Sequence, residues 1–241
     1  MTDSVTQVAR RFEAPERFAP EFAVVLSQER TGSTAVSRSL KALLGADRVV
    51  QVHYLDGSRY RLPTDNPHKL ERFADKAERE ARVRAWLSDP HWSGVVFSII
   101  REPVARIASS IWIKNTAKLL EHHDPVARTF HDGLIPLIAA PLDEAVEKQT
   151  NYGADVFTRL GLPASPSPGT YRTRSGARVF VLDFDRLADD FTRATEAAFG
   201  EAAPLMRAPN GADRYGDLAA YADFRRYCAG LLQTRRLVTP S

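Results

Sequence analysis

Phe22-Ala23-Val24-Val25-Leu26-Ser27-Gln28-Glu29-Arg30-Thr31-Gly32-Ser33-Thr34 decides the fold. Five apolar residues read as a buried strand, the polar run after them as a loop, and the amphipathic stretch on to Leu44 as a helix. The same order recurs twice. Val95-Val96-Phe97-Ser98-Ile99-Ile100 precedes Arg101-Glu102-Pro103 and a helix through Trp112, and Val179-Phe180-Val181-Leu182-Asp183-Phe184 precedes a helical pattern to about Phe199. Arg48 to Leu55 is a weaker fourth strand. Near-continuous apolar strands alternating with helices imply an α/β fold, a parallel sheet flanked by helices on both faces.

Helices are expected over His68–Leu87, whose many charges read as a solvated face, and over Asp143–Leu160, closed by Gly161 and Pro163. Leu162 to Gly176, rich in proline and glycine, reads as a loop. It is too short to mark a domain boundary, so residues 1–241 are expected to form a single domain.

The first loop has the context of an anion cradle. A strand that ends in small residues and enters a helix aims backbone N–H groups, and the positive end of the helix dipole, at whatever sits there. Yet it departs from the nucleotide-triphosphatase pattern. Aligned on Gly32, that pattern would put glycine at Ser27 and lysine at Ser33; the cation here is Arg30 instead. The competing reading is a turn that merely caps the helix through Ser33 or Thr34.

The second loop, Arg101-Glu102-Pro103-Val104-Ala105-Arg106-Ile107-Ala108-Ser109, starts where a buried strand ends. Proline suits the first helical turn. Arg101 then lies at the carboxyl end of a strand, where doubly wound sheets bind ligands. A guanidinium and a hydroxyl match a phosphate dianion, although Ser109 is two helical turns on, so the ligand must lie along the helix. Arg106, four residues after Glu102, reads as half of a surface ion pair. Ser110 reads as a neighbour of the ligand position only.

These two motifs, in this order and each after a strand, resemble those of PAPS-dependent sulfotransferases (PAPS is 3′-phosphoadenosine 5′-phosphosulfate). The order basic residue, small residue, Gly, Ser, Thr is similar to the family's 5′-phosphosulfate loop. The resemblance implies that Arg30 contacts the phosphosulfate, with Thr31, Gly32, Ser33 and Thr34 holding the 5′-phosphate. Arg101, with proline two residues on and Ser109 eight residues on, is similar to the 3′-phosphate motif, which implies that both contact that phosphate. Tyr152-Gly153-Ala154-Asp155-Val156-Phe157 resembles a stretch of the capsular-polysaccharide branch. Val181-Leu182-Asp183-Phe184-Asp185-Arg186-Leu187 resembles a strand ending common in the family. The likeness spans roughly Phe22 to Phe199 and implies a P-loop-like, sulfotransferase-like fold for the parallel sheet and its helices. The family's glycine-containing loop over the nucleotide has no clear counterpart, Asn210-Gly211 being the nearest.

Sulfuryl transfer also needs a base. His53, ending Val49-Val50-Gln51-Val52-His53, is the candidate, because that strand's carboxyl end is expected to open beside the cradle and histidine as a residue type titrates near neutrality. The alternative is a half-buried histidine at a strand end with no catalytic role. His122-His123-Asp124 lacks a third ligand at metal spacing and reads as a polar loop. Asp143 and Glu147 share a helical face best read as solvated.

The chain has 241 residues, with Lys and Arg outnumbering Asp and Glu by 33 to 30. That small excess suits an anionic small molecule and is far from what nucleic acid demands, so no nucleic-acid partner is expected. A single cysteine, Cys228, excludes an internal disulfide and a cysteine-rich metal site. No membrane span and no secretion signal are read, so a cytoplasmic protein is expected. The expectation is therefore an enzyme that passes a sulfuryl group from PAPS to a hydroxyl of a small-molecule or saccharide acceptor, without a metal and with a homodimer as one candidate assembly. The alternatives are a P-loop-type phosphate transferase or kinase and a non-catalytic nucleotide-binding module.

Overall fold

The computed structural model describes residues 20–28, 30–55, 67–152, 156–207 and 215–238. The chain divides into two compact units, one of Met1–Ile100 with Asn151–Arg207 and the other of Arg101–Thr150 with Ala208–Ser241.

The first unit is an α/β sandwich around one five-stranded sheet. Its strands are β1 (Ala23–Leu26), β2 (Val49–Val52), β3 (Val95–Ile100), β6 (Gly169–Arg172) and β7 (Arg178–Asp183), in the spatial order β2-β1-β3-β7-β6. The first four in that order run parallel, and β6 pairs antiparallel with β7. Alternate residues of each central strand enter opposite cores. Ala23 and Val25 of β1, Phe97 and Ile99 of β3, and Phe180 and Leu182 of β7 face one core; Val24, Leu26, Val96, Val179 and Val181 face the other. Burial on both faces is why these strands read as continuous apolar runs instead of alternating ones.

The first core is closed by α1 (Ser33–Leu44), through Val36 and Leu40, and by α5 (Leu187–Phe199), through Phe191 and Ala194. The second is closed by α2 (Pro67–Ser88), through Val83 and Trp86, and by the helical turns at Val156, Phe157 and Leu160. Helices thus cover both faces of the sheet. Trp86 packs between Phe22 (ring centroids 5.4 Å apart) and Trp92 (5.9 Å), beside the start of β1.

Three expectations are corrected in this unit. The stretch 162–176 is not wholly loop: Gly169–Arg172 forms edge strand β6, so the sheet is mostly, not entirely, parallel. An edge strand directly after Pro168 is compatible with proline because proline there interrupts no central ladder. The strand expected over 48–55 is confined to Val49–Val52, since Ala46–Arg48 forms a 3₁₀ turn before it. The helix expected from Asp143 begins earlier: α4 spans Ile135–Tyr152 with Pro141 inside it.

The second unit is mainly helical. It contains α3 (Pro103–Leu120), most of α4, α6 (Leu218–Val238) and a minimal antiparallel pair, β4 (His123–Asp124) with β5 (Thr129–Phe130). Its core gathers Ile107, Ile111 and Trp112 of α3, Phe130, Leu134, Ile138 and Leu142, and Ala220, Phe224 and Cys228 of α6. Burial pushes the Cys228 thiol up to about 12, so it is a packing group and not a nucleophile. His123, read from sequence as part of a loop, sits in β4. Its Nε2 lies 3.0 Å from Asp223 Oδ2, and this contact, first among several, holds the Asp223 carboxyl below its usual range. Among the described residues no helix is long and apolar enough to cross a membrane.

Candidate functional site

The loop between β1 and α1 is braced from within. Ser27 and Thr31 are buried, and their hydroxyl oxygens lie 2.5 Å apart. Thr31 Oγ1–H donates to the Gln28 carbonyl at 2.7 Å, and Ser27 Oγ reaches the Ile99 carbonyl on the adjacent strand at 3.2 Å. Thr31 is only 1% exposed and its hydroxyl is spent inside the loop, which does not fit the expected contact of that hydroxyl with a phosphate.

The outer part of the loop is built differently. Arg30 has φ of 66° and Gly32 φ of 81°, both left-handed, whereas Thr31 between them does not. Left-handed residues in a loop of this kind can aim neighbouring N–H groups toward one side, an arrangement that suits an anion. Arginine in that conformation is uncommon and costs about 1 kcal/mol or more. Gly32 is required twice over. Its φ favours glycine, and a Cβ there would lie 2.6 Å from Leu187 Cδ2.

Gly32 is also the N-cap of α1, and among the described residues no side-chain cap hydrogen bond is made to the first turn. The reading of Ser33 or Thr34 as cap is therefore overturned. Ala35 and Val36 N–H both turn to the Gly32 carbonyl. The first turn holds no acidic residue, so the positive end of the dipole meets no carboxylate of the helix's own. Ser33 is buried and accepts from Gln51 Nε2 at 3.1 Å, while Thr34 is exposed.

His53 follows β2 and lies beside this loop, its Nδ1 2.6 Å from the Ser27 carbonyl. The carbonyl can only accept, so Nδ1 carries the proton in this contact. In the neutral ring Nε2 is then the acceptor, as a general base requires. His53 also lines a cavity of about 460 Å³ along the outer edge of β2, with Gln51, Lys41, Lys76, Arg79 and Glu80 among its walls. The first unit thus brings Arg30, Thr31, Gly32, Ser33, Thr34 and His53 to one loop and its flank.

Arg101 and Ser109 belong to the second unit, and there they meet a pair of tyrosines that sequence reasoning missed. Arg101 Nη2 donates to Tyr221 Oη at 3.4 Å, and Tyr221 Oη–H donates to the Ala105 carbonyl at 3.2 Å. Burial raises the Tyr221 phenol, and the Arg101 charge partly offsets that rise. Ser109 Oγ lies 2.6 Å from Tyr215 Oη, and Trp112 Nε1–H donates to the Tyr215 carbonyl at 2.9 Å. The two phenol rings are 4.5 Å apart. Arg101 and Ser109, two turns apart on the chain, are joined through this pair, but Ser109 is fully buried beneath it.

The helix start beside Arg101 is capped by the protein itself. Glu102 is the N-cap of α3 and accepts from Val104 N–H at 2.8 Å and Ala105 N–H at 2.7 Å. Its other ion partner is Arg225, at 3.3 Å. Arg106, expected on the surface, is 5% exposed, which corrects the expected surface pair with Glu102. Pro103, Glu102 and Arg106 fit a surface helix start equally well in sequence; only packing distinguishes them.

Of the weaker echoes, residues 153–155 and Asn210-Gly211 lie outside the described residues. Asp143 and Glu147 are exposed on α4, as a solvated face would be. Among the described residues no three His, Cys, Asp or Glu side chains gather where a metal could be held. No family model, no curated protein and no solved structure matches the chain.

Proposed function

We propose that the chain is a sulfotransferase-like enzyme that moves a sulfuryl group from PAPS to an acceptor hydroxyl, small-molecule or saccharide. The observation that carries this reading is the loop after β1. One short segment offers an uncapped helix start, a left-handed Arg30 and an adjacent histidine fixed in the tautomer of a base. The resemblance of its residue order to the family's phosphosulfate loop supplies the donor, and Arg101 with Ser109 supplies the expectation of a 3′-phosphate.

In this reading the N–H groups of Gly32, Ser33 and Thr34 hold the 5′-phosphate, and the Arg30 guanidinium neutralises the charge that grows on the leaving phosphate oxygen. The acceptor lies in the cavity along β2. Its oxygen forms a bond to sulfur as the bond from sulfur to the phosphate oxygen breaks, and its proton passes to His53 Nε2. The products are a sulfate ester and adenosine 3′,5′-bisphosphate. Arg101 binds the 3′-phosphate; Ser109 joins it once its hydroxyl is released from Tyr215.

His53→Ala tests the step that most distinguishes an enzyme from a binding module. Turnover with PAPS and a broad acceptor panel should fall by roughly 10²–10⁴-fold, the usual range for a lost general base, with nucleotide affinity nearly unchanged. Equal turnover in variant and parent would remove His53 from the reaction.

A further inference from the structure

The first unit holds a second cavity, of about 390 Å³, that the sulfuryl-transfer reading does not use. It lies on the second-core side of the sheet, between the end of α2, the helical turn at Thr158–Leu160 and the β6–β7 connection. Arg84, Arg159 and Arg174 line it, together with the hydroxyl residues Ser88, Thr158 and Ser175, and no carboxylate is among its described lining residues.

Two of the arginines are placed by the fold. Arg84 Nη1–H donates to the Leu55 carbonyl at 2.6 Å. A carbonyl fixes the guanidinium without cancelling its charge. Arg174 lies across Gly161, whose φ of 76° favours glycine and where a Cβ would stand 3.0 Å from Arg174 Cγ. Ser175 Oγ–H donates to the Leu87 carbonyl at 2.7 Å, which ties the β6–β7 turn to α2 and so holds the two walls together. The Arg84 and Arg174 guanidinium charges face one cavity, and like charges repel each other more strongly where water is partly excluded. An oxyanion relieves that repulsion and accepts from the forked donors in the geometry they offer.

We propose that this cavity binds a tetrahedral oxyanion, a sulfate or phosphate group, free or carried on a larger ligand. Its walls come from residues other than those assigned to the donor and the base, so the proposal stands whether or not the chain transfers sulfuryl groups.

Calorimetry on the full chain, with sodium sulfate against sodium chloride at matched ionic strength and with a sulfated disaccharide as a second probe, tests it. An Arg30→Ala background weakens competing binding at the loop after β1, so that the Arg174 variant reads the second cavity. Sulfate should bind there where chloride does not, and Arg174→Gln should weaken it at least tenfold. Arg174 is exposed, so the variant should keep the parent's melting temperature. Gly161→Ala, which displaces Arg174 without removing its charge, should also weaken binding. A disaccharide that binds more tightly than sulfate identifies a group carried on a larger ligand; equal affinities identify the free oxyanion. Sulfate heat no greater than that of chloride, or affinity unchanged in both variants, overturns the proposal.

Discussion

α1 and α3 both begin just after a parallel strand, with a cation before the helix, yet their first turns are occupied in opposite ways. At α1 the N-cap is Gly32, which brings no side-chain acceptor, and the first turn has no acid. At α3 the N-cap is Glu102, whose two carboxylate oxygens take the N–H groups of Val104 and Ala105. The first helix start has no acid in its own first turn and no side-chain cap from its N-cap residue. The second has an anion of its own, so any phosphate there must be held by side chains, above all Arg101. A strand, a loop and a helix make an anion site only when the cap is left vacant.

The contrast can be broken by exchanging what sits at the two caps. Gly32→Ala should have the largest effect. It puts a Cβ against Leu187 and a non-glycine residue at φ of 81°, and should cost about 2 kcal/mol of stability, read by chemical denaturation. Affinity for adenosine 3′,5′-bisphosphate should fall with it, since the loop's N–H groups are re-aimed. Glu102→Ala should cost less, about 1 kcal/mol, the usual value of an N-cap side chain, seen in denaturation of the second unit. A tighter fit for inorganic phosphate at that helix start would sharpen the point, because the variant vacates the cap.

Tyr215→Phe should have the smallest effect and the opposite sign. It leaves the buried Ser109 hydroxyl without its phenol partner in the free protein, and an unsatisfied buried hydroxyl destabilises that state. Affinity for adenosine 3′,5′-bisphosphate should therefore rise severalfold in a calorimetric titration. A fall would mean that the Tyr215 hydroxyl itself serves the phosphate.

Much of the first unit was legible because its signals are local. Burial on both faces makes β1, β3 and β7 continuous apolar runs, and the small residues of Ser27 to Thr34 could belong only to a turn entering a helix. β6 was hidden behind Pro163, Pro166 and Pro168, which read as loop although an edge strand tolerates proline beside it. The helix read from Asp143 begins earlier, at Ile135, and α4 accommodates Pro141 in its interior. Local pattern fails most in the second unit. Arg106 has the spacing of a surface pair and is buried. The tyrosines that meet Arg101 and Ser109 come from more than 100 residues along the chain, and no local spacing announces them. The helix start was readable as an anion site, but whether Glu102 or a ligand fills it was settled by side-chain geometry alone.

The account rests on the loop after β1 being made for a nucleotide phosphate whose cation is Arg30. The direct measurement is a calorimetric titration of the chain and of Arg30→Ala with adenosine 3′,5′-bisphosphate and with ATP. The bisphosphate should bind the parent chain more tightly than ATP does and lose roughly tenfold or more in the variant, as loss of a charge-assisted contact implies. ATP binding as tight as the bisphosphate, or an Arg30→Ala variant that holds the bisphosphate undiminished, would contradict it.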